Sequence, residues 1–215
     1  AGLLWFGWFG FNAGSALSAN EIAALAFVVT NTCAAAGALS WVAAEWLHHG
    51  KPTVFGAVSG AVAGLVAITP AAGFVSPLAA IAIGLIAGPL CYLAVSRIKE
   101  QFAYDDALDV FGIHGVAESW GAVATGILAT TAVNPSAIDG LLAGNPAQVL
   151  TQSIGVVATY VFAAALTYAI LKAISIFTAL RVSPAEEEAG LEPSLHGEDG
   201  YSVADLSGEG HAAAF

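Results

Sequence analysis

Residues 76–96 read SPLAAIAIGLIAGPLCYLAVS, and this stretch decides the class of fold. It contains no charged side chain, and its length fits the roughly 17 to 25 helical residues that a hydrocarbon core about 30 Å thick requires. In lipid, every backbone polar group must be hydrogen-bonded within the protein, so a single apolar segment crosses a membrane as a helix. The stretch therefore predicts a transmembrane helix.

Five further apolar segments of similar character flank this stretch. Together the six predicted spans cover residues 1–17, 22–47, 53–69, 76–96, 108–131 and 148–180. Composition agrees, since 58% of the 215 residues are apolar and only 10% are charged, against roughly 25% charged residues in a soluble domain. The chain opens inside an apolar run without a basic region, so we interpret this start as a truncation and not as a signal peptide. We predict an all-α integral membrane protein of six transmembrane helices.

The five basic residues predict the orientation of these helices. They lie in the second loop, in the fourth loop and near the end of the sixth span: Lys51, Arg97, Lys99, Lys172 and Arg181. The first, third and fifth loops contain none. Because basic residues are retained on the cytoplasmic side of a membrane, we expect the start of the first helix and the C-terminal end both to be cytoplasmic.

Apolar periodicity stops near Ser183, and a tail rich in Glu, Gly and Ser follows. Half of the 16 acidic residues lie after Arg181, so the net charge of −11 describes the tail and not the helices. The chain thus divides into a membrane domain at 1–182 and an acidic tail at 183–215. Clustered carboxylates forbid a seventh span, and we expect residues 202–215 to be disordered.

Small residues predict how the helices pack. Gly56, Gly60 and Gly64 recur every four residues and form one smooth face of the third span, on which another helix backbone can approach closely. Cys33 and Cys91 lie far apart in apolar segments without metal-ligand spacing, so we assign both to packing.

Polar groups inside a membrane helix are costly and are candidates for function unless they are paired or near an end. Asp109 lies near the start of the fifth span, where a carboxylate can cap the helix or serve as a buried structural acid. His114 lies about 7 Å deeper along the helix, flanked by glycine and aliphatic residues, and we favour a role in a transport pathway for it over a packing role.

The first span concentrates aromatic and small polar residues. Trp8, Phe11 and Ser15 are spaced three and four residues apart and therefore share one helix face. Aromatic faces attract cations, and the attraction strengthens where water is scarce. The stripe predicts one wall of a pathway for a small cation, whereas the shallower Trp5 is read as an interfacial anchor.

Three motifs together resemble signatures of the ammonium transporter (Amt/Mep/Rh) family. They are WFGFNAGS at 8–15, DVFGIHG at 109–115 and EEEAGLEPSLHGEDGY at 186–201. The resemblance extends over essentially the whole chain. It implies an eleven-helix fold built from two inverted five-helix repeats, with a pore through each subunit of a homotrimer. This chain resembles the second repeat plus the last helix and the tail.

The resemblance also implies roles for individual residues. Ser15 matches a hydroxyl that recruits ammonium at the outer vestibule, and Phe11 matches one of two phenylalanines that close the pore. His114 matches the second of two pore histidines, Trp8 an aromatic near that pair, and Asp109 a structural acid below it. The other histidine, the other phenylalanine, a vestibule tryptophan and a binding-site aspartate are expected in the missing half.

Two further residues have open roles. Ser59 is a weaker candidate for the inner pore. Glu118 departs from the family pattern, in which a small residue is usual; it lies four residues after His114 and so on roughly the same helix face. It can hydrogen-bond a neighbouring helix, face a subunit interface, or contact His114 and raise the proton affinity of that histidine.

The resemblance favours uptake of ammonium or ammonia across the plasma membrane, with no cofactor, metal ion or nucleic-acid partner. It also implies a trimeric nitrogen-status signal protein that docks at the cytoplasmic face. One alternative is an ammonium sensor acting through its tail, which would carry a signalling domain after that tail. Another is a membrane metalloenzyme or hydrolase using His114, Glu118 and a serine, but two ligands are too few for a metal and no Gly-x-Ser-x-Gly motif exists.

Overall fold

The computed structural model describes residues 1–198, and this part of the chain is helical with no strand. Its α-helices are α1 (Gly2–Gly14), α2 (Glu21–His49), α3 (Val54–Ile68), α4 (Pro77–Leu93), α5 (Lys99–Phe102), α6 (Val116–Leu128), α7 (Ala147–Ile174) and α8 (Pro184–Ala189). A π-helical turn, Ala94–Ile98, joins α4 to α5, and a second π-helical turn, Phe111–Gly115, leads into α6. Residues 202–215, which the sequence predicts to be disordered, lie outside the described residues.

Four helical segments among the described residues are long and apolar enough to cross a membrane. They are Glu21–His49, Val54–Ala71, Pro77–Phe102 and Ala147–Ile174, and they correspond to the second, third, fourth and sixth predicted spans. The first and fifth predicted spans contain α1 and α6, which have only 13 residues each. Six complete spans therefore stay a prediction.

Local conformation shortens the first helix relative to its predicted span. Leu17, three residues beyond the end of α1 at Gly14, adopts a left-handed backbone conformation with φ of 56°. Few non-glycine residues adopt such a conformation within a helix. The chain consequently leaves the helix after Gly14 and turns toward α2.

Side-chain caps begin the next three helices where the sequence changes from polar to apolar. Asn20, Thr53 and Ser76 accept hydrogen bonds from the backbone N–H groups three residues ahead. Each bond satisfies an N–H group that has no partner within its helix. In a membrane protein these caps fix where α2, α3 and α4 start.

The core of the first compact unit, Ala1–Tyr160, is the packing of α2 against α3 and α4. A Cβ atom on Gly60 would lie 2.6 Å from the Gly37 carbonyl oxygen, and one on Gly64 would clash with the Cys33 carbonyl oxygen. From α4, a Cβ on Gly88 would lie 2.6 Å from the Gly37 oxygen. These contacts confirm the predicted glycine face of α3 and add a second one on α4.

Two loops with predicted cytoplasmic cations meet at one end of this core. The His48 Nδ1 atom lies 2.6 Å from the Tyr92 hydroxyl, and its Nε2 atom lies 3.2 Å from the Arg97 guanidinium. Since Lys51 follows α2 by two residues, the cations of the second and fourth loops share one end of the bundle. This arrangement agrees with the expectation that the two loops lie on the same side of the membrane, and the cytoplasmic orientation of that side stays a prediction.

A second unit begins at Val161 and contains α8. Ser183 and Glu186 form a capping box at the start of α8, in which Ser183 Oγ donates to a Glu186 carboxylate oxygen at 2.7 Å and Ser183 N–H donates to the same oxygen at 2.8 Å. The hydrogen bonds from Ser183 lower the pKa of Glu186 below its usual range. A defined helical turn thus begins at the residue where the sequence predicts the start of the tail.

Candidate functional site

Two side-chain hydrogen bonds attach α1 to the core. The Trp8 indole N–H donates to Thr69 Oγ1 at 2.8 Å, and the Asn12 amide donates to Thr30 Oγ1 at 2.9 Å. Asn12 and Thr30 are buried. Because an unpaired amide is costly away from water, these bonds fix the rotation of α1 about its axis.

This rotation brings three of the predicted site residues together. The Trp8 and His114 rings stack with centroids 6.3 Å apart and planes inclined by 30°. Trp8 also contacts Phe11 edge-to-face, with centroids again 6.3 Å apart. Phe11 is 62% exposed, so the cluster forms an open aromatic surface on the chain.

Ser15 lies one helical turn from Phe11, at the C-terminal end of α1. Its side chain is exposed, and its hydroxyl already donates to the Phe11 carbonyl oxygen. The hydroxyl oxygen retains lone pairs that can accept from another donor. Ser15 therefore presents an acceptor at the edge of the aromatic surface.

His114 lies in the π-helical turn Phe111–Gly115, a feature that sequence reasoning missed. Such turns are rare and occur frequently at functional sites. Gly112 allows this turn to approach the other π-helical turn, Ala94–Ile98, because a Cβ atom at position 112 would lie 2.8 Å from Val95 Cγ2. Ile113 is buried while His114 is exposed, so the turn presents the imidazole outward beside Trp8.

Two acidic residues support the start of this turn in different ways. The Asp106 carboxylate accepts hydrogen bonds from the N–H groups of Val110, Phe111 and Gly112 at 2.8 to 3.3 Å. Asp109 has a left-handed φ of 56°, and its carboxylate pairs with Lys99 Nζ at 2.7 Å. Asp106 thus caps the helix, and Asp109 is an ion-paired acid that ties the turn to α5.

The structure does not join Ser59 or Glu118 to the aromatic cluster. Ser59 is buried in α3, ten residues before Thr69 and therefore about 15 Å away along the axis. Glu118 is exposed, and no hydrogen bond or ion pair within residues 1–198 involves its side chain. Nor does a hydrogen bond in that range connect it to His114.

Sequence reasoning also missed the residues that hold the site residues in place. Thr69 is the last residue of the third predicted span, and its role as acceptor for Trp8 depends on a contact 61 positions apart. Tyr160 of α7 donates to the Gly115 carbonyl oxygen at 2.9 Å. Local patterns carry no signal for such distant pairs. Within residues 1–198, no group of three His, Cys, Asp or Glu side chains is arranged to hold a metal ion.

Comparison with known proteins decides the family. Residues 1–201 match the model of the Ammonium Transporter Family. The chain is 52% identical over 199 residues to an ammonium transporter of Bacillus subtilis, covering 93% of this chain and 49% of that protein. It is 56% identical over 203 residues to an ammonium transporter of Aquifex aeolicus, covering 94% and 47%.

The chain belongs to the ammonium transporter family. Solved structures agree: Saccharomyces cerevisiae Mep2 matches with a TM-score of 0.80 at 40% identity, over 85% of this chain and 42% of that one. A structure named Sensor Amt Protein matches with a TM-score of 0.80 at 30% identity, over 89% and 46%.

Membership of this family indicates an integral membrane protein, and the relatives that the chain matches are ammonium transporters and not enzymes. This finding removes the metalloenzyme alternative that His114 and Glu118 suggested. The chain spans about half the length of the curated relatives it matches.

Proposed function

We propose that the complete protein transports ammonium or ammonia across the plasma membrane, and that this chain forms one wall of the pathway. The observation that carries the proposal is the open surface of Trp8, Phe11 and His114, which are held together by a hydrogen bond to the core and by ring contacts. Aromatic faces and a neutral imidazole suit a small cation that is losing its water.

The positions of the residues along α1 suggest an order of events. Ser15, at the exposed end of α1, accepts a hydrogen bond from ammonium in an outer vestibule. Phe11, about one turn below, separates that vestibule from the interior and strips water from the ion. Ammonium gives up one proton, to water in the vestibule or to a separate relay, and Trp8 and His114 then receive the resulting ammonia, with Trp8 packing against the imidazole.

Selectivity follows from the chemistry of these groups. Ammonium offers N–H donors to the Ser15 oxygen and can lose a proton, whereas a potassium ion can do neither. A narrow apolar passage excludes ions that keep their hydration shells. Ser59, buried in α3, is a weaker candidate for the inner end of the same passage, and Asp109 supports the turn that carries His114.

For the architecture we propose six spans in this half, the second half of an eleven-helix fold, with one pore in each subunit of a homotrimer. Residues 1–182 form the membrane part and residues 183–215 the cytoplasmic tail. The exposed aromatic surface supports this proposal, because apolar rings and a histidine on one face need a covering surface. We assign that surface to the other half of the protein, where the second phenylalanine and the partner histidine are expected.

The direct test uses the complete transporter in cells that lack their own ammonium uptake. We expect His114→Ala to reduce ammonium uptake by at least about tenfold, since a positioned acid–base group typically contributes about 10²- to 10⁴-fold to a rate. His49→Ala is the matched control, because His49 is an exposed histidine at the end of α2. Equal uptake by the His114 variant and the parent would contradict the proposed pathway.

For the tail we propose docking of a trimeric nitrogen-status signal protein at the cytoplasmic pore mouth. The ordered turn at Ser183 and the carboxylates that follow support an interaction surface, although an acidic run is more often only solvated. Deleting residues 183–201 from the complete protein should weaken capture of the signal protein and alter uptake. Unchanged uptake together with undiminished capture would remove the tail from the mechanism.

One observation favours the sensor alternative, namely the similarity to the structure named Sensor Amt Protein. The two functions can be distinguished by measuring the ammonium content of sealed vesicles whose membrane contains only the purified complete protein. A transporter moves ammonium into such vesicles down its gradient, whereas a sensor without transport activity leaves their content unchanged.

A further inference from the structure

Tyr160 lies beside the candidate site but has no role in the proposed pathway. It lies on α7, and its hydroxyl donates to the carbonyl oxygen of Gly115, the residue directly after His114, at 2.9 Å. The Tyr160 ring also contacts the Phe111 ring edge-to-face, with centroids 6.3 Å apart. Tyr160 thus touches the first and the last residue of the π-helical turn Phe111–Gly115.

A second hydroxyl reinforces the same carbonyl. Ser119 Oγ donates to the Gly115 oxygen at 2.7 Å and lies 2.9 Å from the Tyr160 hydroxyl. A Cβ atom at position 115 would lie 3.2 Å from the Tyr160 hydroxyl and 2.9 Å from the Phe111 ring. Glycine at 115 therefore permits the close approach that this hydrogen bond needs.

The π-helical turn needs such support because its hydrogen-bond pattern is less favourable than that of an α-helix and seldom persists without a reason. Its start is fixed by the Asp106 cap and by the Lys99 to Asp109 ion pair. Its end is fixed by Tyr160 and Ser119. A change in the backbone at Gly115 moves the adjacent His114 and hence its stacking on Trp8.

We infer that Tyr160 is a positioning residue for His114, which it holds against Trp8 through the Gly115 carbonyl oxygen and the Phe111 ring. This inference rests on the proposed role of His114 in transport. Tyr160 does not itself touch the substrate. Its removal should therefore change how well the site discriminates between substrates more than it changes the stability of the fold.

The test compares Tyr160→Phe, which deletes only the hydroxyl, with Tyr168→Phe in the complete transporter. Tyr168 lies two turns further along α7, is 66% exposed, and its hydroxyl makes no hydrogen bond within residues 1–198. Uptake of ammonium and of methylammonium is measured over a range of concentrations, together with the melting temperature of the purified protein.

We expect Tyr160→Phe to change the ratio of ammonium to methylammonium uptake by about 3- to 10-fold, the equivalent of one hydrogen bond. The melting temperature should fall by less than about 3 °C. Ser119→Ala, which removes the other donor to the same oxygen, should change the ratio in the same direction. Tyr168→Phe should behave as the parent does.

An unchanged ratio in Tyr160→Phe would overturn the inference. So would a fall in uptake of both substrates in proportion to a large loss of thermal stability, because that pattern indicates helix packing alone. If the parent itself takes up no ammonium, the proposed function fails. The inference is then decided by structures of the parent and of Tyr160→Phe: an increased distance between the Trp8 and His114 rings supports it, and an unchanged distance overturns it.

Discussion

Two regions of the molecule differ in the size of the residues that make their contacts. One is the core, in which α2 packs against α3 and α4. The other is the aromatic face, which is formed by α1 and the π-helical turn Phe111–Gly115. In the core, glycines and alanines bring helix backbones together, and Gly37, Gly60 and Gly64 lie against one another. On the face, large aromatic rings meet at centroid distances near 6 Å, and Phe11 remains largely exposed.

This difference indicates that the core and the face have different roles. Lipid gives helices no hydrophobic drive to associate, so close backbone packing of small residues is what holds the core together. The face is attached by a few specific bonds, among them Trp8 to Thr69 and Asn12 to Thr30. Substitutions in the core should therefore affect folding, and substitutions on the face should affect transport.

The largest effect is expected from Gly60→Leu. Its Cβ would lie 2.5 Å from Trp41 Cβ and 2.6 Å from the Gly37 carbonyl oxygen, and backbone at such distances cannot move aside cheaply. We expect a loss of about 3 kcal/mol or more in the free energy of unfolding. The yield of monodisperse protein and its melting temperature measure this loss.

Gly155→Leu is the matched control for Gly60→Leu. A Cβ at Gly155, on α7, meets no atom within 4 Å among the described residues. A similar loss of stability in both variants would show that adding a leucine side chain to any helix is destabilising, whatever the packing of the core. The division between core and face would then lose its main support.

A smaller effect, confined to transport, is expected from Phe11→Ala. Loss of the ring should widen the passage, so that discrimination between ammonium and potassium falls by about tenfold, while the melting temperature stays near that of the parent. Fluxes of both ions through purified protein in vesicles measure the discrimination. Phe6→Ala, on the same helix and 77% exposed, serves as the control. If Phe11→Ala retains full discrimination, Phe11 is only packing.

The smallest effect is expected where face and core meet, at the bond from Asn12 to Thr30. A double-mutant cycle of Asn12→Ala and Thr30→Val should give a coupling energy of about 0.6 kcal/mol, the average for such pairs in membrane proteins. Reversible unfolding in mixed detergent micelles measures each variant. A coupling energy of zero would mean that this bond adds nothing to the attachment of α1, which would then rest on other contacts such as Trp8 with Thr69 and Phe9 with Phe27.

Much of the candidate site was predictable because its residues fall within short motifs. Trp8 and Phe11 are three residues apart on one helix, and their ring contact follows from that spacing. The family resemblance implied that Trp8 lies near His114, and the two rings stack in the structure, while their role in a pathway stays a prediction. The first helix was predicted too long, because hydropathy at 1–17 does not register the left-handed backbone conformation of Leu17.

The role of Asp109 shows why other parts of the candidate site could not be predicted from the sequence. As a carboxylate near a helix start, it was expected either to cap the helix or to act as a structural acid. Asp106 takes the capping role, because Asp109 is turned aside by its left-handed backbone and by the ion pair with Lys99. Sequence spacing alone does not distinguish two neighbouring acids.

By itself, the sequence determined that the chain is helical and membrane-embedded, since long apolar segments in lipid have no other way to satisfy their backbone polar groups. It also determined which glycines permit close packing and which aromatic and titratable residues stand out in an apolar background. Tertiary structure alone decided the π-helical turn, the hydrogen bond from Trp8 to Thr69 and the contact of Tyr160 with Gly115. The two hydrogen bonds join residues 61 and 45 positions apart, and local propensity carries no information about which distant helices will meet.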